Sequence, residues 1–257
     1  MNKTPYRHGQ FVWHELHTSD VNKSTRFLGE VLGYKAKEVT MPDGTAYNML
    51  SLGSQVVGGL MKSPMAGAPC HWSLSVSTSD VDAVAKRATE LGGKLFVPPM
   101  DAGGFGRFST FADPTGGVIS AWKAVDGDGE RSPGSRPGEG EFCWEQLNTS
   151  DESKAVAFYE AVFGWTRKPF AGDATMEVFH AGEAPVASIM KAPPGVPTHW
   201  LTYVVVSSLA DAHRRVTSNG GKILVPRIDV PTVGTISVIE DNVGAALGFF
   251  EGPKSRP

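Results

Sequence analysis

Two stretches of this 257-residue chain repeat one another, and no other feature restricts its fold as much. Phe11-Val12-Trp13-His14-Glu15-Leu16-His17-Thr18-Ser19-Asp20 returns as Phe142-Cys143-Trp144-Glu145-Gln146-Leu147-Asn148-Thr149-Ser150-Asp151, 131 residues later. His71-Trp72 returns as His199-Trp200, Gly92-Gly93-Lys94 as Gly220-Gly221-Lys222, and Asp113 with Gly116 as Asp241 with Gly244, all at a spacing of 128. A repeat this long is a duplicated domain. Two domains are expected, at 8–124 and 141–252, each roughly 115 residues and large enough for a core of its own. Between them, 125–140 reads as a flexible linker, because Asp126 to Gly140 is Gly, Pro, Ser and charge with no apolar residue to pack.

A fainter repeat lies inside each copy. Thr18-Ser19-Asp20 recurs as Thr78-Ser79-Asp80 and Thr149-Ser150-Asp151, and degenerates to Ser207-Ser208. Each cluster follows a strand-like stretch and offers a side-chain oxygen to the first free amides of a helix. Phe27, Leu28, Val31 and Leu32 then recur at helical spacing before Gly33, as do Val81, Val84, Ala85, Ala88 and Leu91 before Gly92-Gly93. Three short strands follow each helix, around 34–39, 46–52 and 55–61 in the first unit, and 94–97, 107–111 and 117–122 in the second. Turns are expected at Pro98-Pro99 and Asp113-Pro114-Thr115-Gly116. The fold class is therefore α+β, with four strand-helix-strand-strand-strand units.

Composition narrows the partners. Hydrophobic content of 40% and charged content of 20% are those of a globular chain, and the net charge of −3 offers no electrostatic footprint for nucleic acid. No apolar run reaches the roughly 18 residues that a membrane span needs, and the N-terminus lacks a secretory leader's apolar stretch. Cys70 and Cys143 stand at non-equivalent places and read as reduced thiols. These features lead us to expect a cytoplasmic monomer or homodimer with a small-molecule partner, no nucleic acid and no membrane. Gly103-Gly104-Phe105-Gly106 precedes a strand rather than a helix, so it reads as a turn and not a phosphate cradle. Arg7 and His8 read as a loose tail, and His213 with its neighbouring arginines as a solvated helix face.

Thr18-Ser19-Asp20 through Phe27-Leu28 and Leu32-Gly33-Tyr34, with Phe158-Tyr159 and Phe163-Gly164-Trp165, and Asp113-Pro114-Thr115-Gly116-Gly117, resemble the vicinal oxygen chelate superfamily. This is the group of glyoxalase I, bleomycin-resistance proteins, fosfomycin-resistance enzymes and extradiol dioxygenases. The resemblance covers nearly everything outside the termini and linker. It implies two tandem domains, each of two βαβββ units forming a cupped mixed sheet. It is weak for function, since one scaffold hosts many chemistries.

Enzymes of that superfamily hold a divalent metal with His, Glu or Gln on barrel strands, and the metal supplies Lewis acidity. By the family's pattern the ligand positions fall on Trp13, Ser73 and Ser120 in copy one and on Trp144, Leu201 and Gly248 in copy two. None of the six carries a good donor. No metal cofactor is therefore expected. The alternative is a shifted register, with Glu15 on the face of Trp13 and His71 on the face of Ser73. Glu15 and His71 would then begin a site for Zn, Fe, Mn or Ni in a lyase or dioxygenase, with Gln146 and His199 as counterparts. The plainer reading is that each His-Trp pair anchors the start of a strand. Without a metal, Trp13, Trp144, Trp122 and Phe250 would line an aromatic cup, and Glu15, Gln146, His71, His199, Ser73 and Ser120 would orient a bound molecule. That arrangement resembles the drug-sequestering branch, which binds without turnover.

Overall fold

A computed structural model describes residues 4–41, 44–64, 67–129, 136–170 and 173–253. Copy one runs β1 (Phe11–Thr18), α1 (Val21–Leu32), β2 (Lys35–Thr40), β3 (Ala46–Leu52) and β4 (Gln55–Lys62). It continues as β5 (His71–Ser77), α2 (Val81–Glu90), β6 (Lys94–Asp101), β7 (Gly106–Ala112) and β8 (Val118–Ala124). Copy two repeats the series as β9 (Phe142–Thr149), α3 (Glu152–Phe163), β10 (Thr166–Phe170), β11 (Asp173–Ala181) and β12 (Ala184–Lys191). It ends with β13 (His199–Val205), α4 (Leu209–Ser218), β14 (Lys222–Val230), β15 (Gly234–Glu240) and β16 (Ala246–Glu251). The four βαβββ units read from the sequence are all present.

Each copy forms one eight-stranded mixed sheet. The orders are β2-β3-β4-β1-β5-β8-β7-β6 and β10-β11-β12-β9-β13-β16-β15-β14. In every unit the first strand pairs in parallel with the fourth, as in Glu15 opposite Gly59, Ser75 opposite Ser120, Gln146 opposite Ser188, and Tyr203 opposite Gly248. Antiparallel hairpins complete each unit, and β1 adjoins β5 and β9 adjoins β13 at the middle of each sheet.

The Thr/Ser/Asp clusters cap the helices as expected. Asp20, Asp80, Asp151 and Ser208 each accept the amide three residues ahead, a contact worth about 1 kcal/mol. Gly33 and Gly164 close α1 and α3 in the left-handed conformation, at φ 76° and 68°, which costs glycine nothing.

The cores do not follow the repeat. The repeat leaves open whether units pair within a copy or between copies, and both cores mix the copies. One joins Leu74, Val76, Phe111 and Ile119 with Phe158, Tyr159, Trp165 and Phe179. The other joins Leu16, Phe27, Leu28 and Leu60 with Val204, Val216, Leu247 and Phe249. Two compact units result: one from the described residues within 1–13, 73–135 and 145–200, the other from those within 14–72, 136–144 and 201–257. In the first α2 packs on α3, and in the second α1 packs on α4. Each helix lays an apolar stripe over half a sheet and needs a second layer to bury it, which the unit from the other copy supplies.

The first unit contains a buried polar knot. Tyr159 Oη donates to Asp113 Oδ2 at 2.8 Å and accepts from Trp200 Nε1 at 3.0 Å. Asp113 Oδ1 accepts from Thr115 N, Thr115 Oγ1 and Gly116 N at 2.6, 2.6 and 3.0 Å. Burial and the Asp113 carboxylate push the Tyr159 hydroxyl well above the ordinary tyrosine range, so it remains a donor. The repeat counterpart of Tyr159 is Leu28, which has no hydroxyl with which to form such a knot in the second unit.

Four local expectations are corrected. β6 does not stop at Pro98-Pro99 but runs to Asp101, because it is an edge strand with register shifts between Leu95 and Met100, where missing N–H donors cost no ladder bond. Arg7 and His8 are ordered: Arg7 N donates to Asp128 Oδ2 at 2.7 Å, and His8 stacks on Tyr6. The linker's described ends are engaged rather than loose. Ser77 Oγ donates to Asp128 Oδ2 at 2.5 Å, and Tyr34 Oη donates to the Gly140 carbonyl at 2.6 Å; 130–135 lies outside the described residues. His213 does not face solvent with Arg214 and Arg215; its Nε2 meets Ser237 Oγ at 2.7 Å.

Candidate ligand-binding site

Strand alternation sends Leu16 of β1 and Trp72 and Leu74 of β5 into the cores. Trp13, Glu15, His17, His71 and Ser73 therefore share the opposite faces of their strands. Two groups of the nominated residues come together, one in each compact unit. The repeat relates them position by position.

In the second unit His17 Nε2 lies 2.9 Å from Glu15 Oε1, with the two side chains 17% and 21% exposed. The His71 ring stacks on His17, with centroids 5.1 Å apart and planes only 4° from parallel. His71 Nδ1 lies 2.9 Å from the Pro69 carbonyl. A carbonyl only accepts, so Nδ1 carries the proton, and neutral His71 leaves Nε2 as a bare acceptor. Gly59, the strand partner of Glu15, has no side chain because Tyr47 fills its place; a Cβ there would stand 1.7 Å from Tyr47 Oη. His17 is the member that sequence reasoning left out. Its signal was alternation two residues beyond Glu15.

In the first unit the same positions hold Gln146, Asn148 and His199. His199 Nδ1 bonds the Pro197 carbonyl at 2.8 Å, and His199 Nε2 meets Asn148 Nδ2 at 3.3 Å. Asn148 Oδ1 in turn accepts from Gln146 Nε2 at 2.8 Å. This chain is uncharged, and each of its members is bonded to the next.

The remaining nominated residues lie elsewhere. Ser120 is buried and paired with Thr110 Oγ1 at 2.8 Å, and Ser75 is its partner on β5. Trp122 pairs with Phe108 and lies over Gly106, where a Cβ would come within 2.6 Å of the indole. This part of the first unit, which also includes Ser73, is a face of hydroxyls flanked by aromatic rings. Its counterpart in the second unit is apolar. Leu201 and Tyr203 are buried, the Tyr203 ring occupies the place a Gly248 side chain would take, and Phe250 lies over Gly234. Trp13 and Trp144 are each half-buried. Cys70 and Cys143 form no disulfide, and Cys143 donates weakly to the Tyr203 carbonyl at 3.4 Å.

Two open depressions, about 500 and 410 Å³, lie away from both triads. Their arginines are already paired, Arg227 with Asp229 and Arg107 with Asp82 and Asp101. That pairing leaves little charge for a ligand, so the site is not assigned there.

Burial of the ring holds His71 below the ordinary histidine pKa, stacked His17 adds to this, and the Pro69 carbonyl and Glu15 oppose it. Burial also lowers His213. The unfolded chain thus binds more protons than the native state near the histidine range. The stability these two groups contribute is present above about pH 6.5 and lost as pH falls through their lowered native values. A small fall in the urea midpoint is expected between about pH 7.5 and about pH 5.5. The H71Q/H213Q double variant should flatten it, and a wild-type midpoint that rises on acidification would contradict the assignment.

Residues 10–120 and 144–249 both match the profile of the Glyoxalase/Bleomycin resistance protein/Dioxygenase superfamily. The chain belongs to that superfamily. A protein of Mycobacterium tuberculosis with the provisional name glyoxylase CFP32 is 31% identical over 256 residues, covering 97% of each chain. The anthracycline biosynthesis protein DnrV of Streptomyces peucetius is 27% identical, covering 99% of this chain and 97% of its own. Among solved structures, the Mn(II)-bound glyoxalase of Novosphingobium aromaticivorans superposes with a TM-score of 0.64 at 17% identity, over 95% of this chain and 82% of that one. The 2,3-dioxygenase LapB of Pseudomonas sp. KL28 gives 0.62 at 12% identity, over 99% and 97%. At these identities the superpositions establish the superfamily's fold alone. No helix among the described residues is long and apolar enough to cross a membrane.

The superfamily's metal chemistry does not fit the donors present. The six positions its pattern points to hold Trp13, Ser73, Ser120, Trp144, Leu201 and Gly248, with Ser120 bonded to Thr110 and Gly248 covered by Tyr203. Among the described residues no group of three or more His, Cys, Asp or Glu side chains is placed to hold a metal ion. In the shifted register, Glu15 is engaged with His17 and the His71 Nδ1 with Pro69.

Proposed function

We propose that this superfamily member binds a planar or apolar small molecule in the cytoplasm without a metal ion, and sequesters it rather than turning it over. The supporting observation is the donor set. Where relatives would need His, Glu or Gln, this chain has indoles, hydroxyls, an isobutyl group and a glycine. Aromatic faces beside hydroxyls, as at Trp122, Phe108, Ser120 and Thr110, suit stacking and orientation better than Lewis-acid catalysis.

The test pairs elemental analysis with tryptophan fluorescence. We expect far less than one transition metal per chain, and quenching by planar aromatic compounds that persists in a chelator. About one Zn, Fe, Mn or Ni per chain, with every ligand response lost on chelation, would replace this reading by a metal-dependent lyase or dioxygenase using Glu15 and His71.

A further inference from the structure

The two triads differ in one bond. In copy two the amide of Asn148 occupies the His199 Nε2 lone pair. In copy one His17 replaces Asn148, turns its Nε2–H toward Glu15, and lies parallel to His71. An imidazole lone pair lies in the plane of its ring, so a partner stacked above cannot donate to it. Among the described residues nothing else donates to His71 Nε2. The duplication thus provides one copy whose acceptor is closed and another whose acceptor is open.

We propose that Glu15, His17 and His71 form a recognition site for a neutral hydroxyl donor of the phenol or enol type, which hydrogen-bonds to His71 Nε2. The proposal rests on the small-molecule reading above and names its ligand class. Three features favour this class. The open atom is an acceptor, so the ligand must donate. The Glu15 carboxylate beside it disfavours carboxylates and phosphates. The Nδ1–H bond to Pro69 fixes which nitrogen is bare, so the acceptor is formed before the ligand arrives. Partial desolvation of the ring lowers the His71 pKa and so favours its neutral, accepting form. Copy two has no equivalent site, because Gln146 and Asn148 satisfy His199 internally. One such ligand is bound per chain.

The experiment compares 4-nitrophenol with 4-nitroanisole, which keeps the ring and nitro group but replaces the donor hydroxyl with a methyl ether. Binding is read by calorimetry and tryptophan quenching on the full chain. We expect the phenol to bind about fivefold more tightly, the net worth of one hydrogen bond of roughly 1 kcal/mol. E15Q/H17N, which installs the residues copy two already carries at these positions, should remove that preference. H71Q should also remove it, and melting curves check that both variants fold. Equal affinity for the two probes in the wild type, or a preference that survives both variants, overturns the assignment of the site and leaves the small-molecule reading standing. Failure of both probes to bind sinks the wider reading and this one with it.

Discussion

Replacing Asp113 with Ala is expected to destabilise the protein by about 3 kcal/mol or more, seen as a fall of roughly 10 °C in the melting midpoint. The carboxylate accepts four hydrogen bonds, three at Oδ1 and one from Tyr159 at Oδ2. Its removal leaves the buried Tyr159 hydroxyl and the turn amides without their acceptor, and an unsatisfied buried donor costs more than the bond itself contributed. The equivalent change at Asp241 should cost clearly less. That side chain accepts from Val243 N at 3.0 Å and Ala245 N at 2.8 Å but meets no tyrosine, and burial raises its pKa. Equal losses at the two aspartates would show that the Tyr159 knot contributes nothing.

The second large effect concerns Gly248, where the superfamily's pattern would place a third metal ligand. Gly248→Glu should fail to restore an ion site and should destabilise by about 3 kcal/mol or more. A Cβ at this position would stand 2.3 to 2.6 Å from Tyr203 Cδ1, Cε1 and Cγ, close to the root of that side chain. Tyr203 is only 3% exposed and has little room to swing away. Unfolding curves and metal titration together provide the test. A stable variant that binds one equivalent of Zn or Mn would mean Tyr203 is a removable plug.

The four-unit architecture was legible because its signals are local and repeated. A capping cluster, an amphipathic run and a terminal glycine mark each unit's helix, and three copies agree closely enough to interpret the degenerate Ser207-Ser208. The end of β6 was not legible, since Pro98-Pro99 reads as a break unless the strand is known to lie on an edge. The cores were not legible either, because periodicity says which residues are buried but not against which copy. At the candidate site, alternation placed Glu15 and His71 on their faces. The partnership with His17 depends on stacking across strands far apart in sequence. The covering of Gly59 and Gly248 by Tyr47 and Tyr203 likewise depends on cross-strand neighbours that one strand's own sequence does not reveal.

The shared interiors carry an evolutionary implication. Phe27 and Leu28 are buried with Val216 and Phe249, just as Phe111 and Ile119 are buried with Phe158 and Phe179. A gene shortened to either copy would encode a polypeptide with two unfinished oil-water boundaries that only a second molecule could close. The copies could drift apart in chemistry, as Glu15 and Gln146 have, while remaining bound to a common fate in folding.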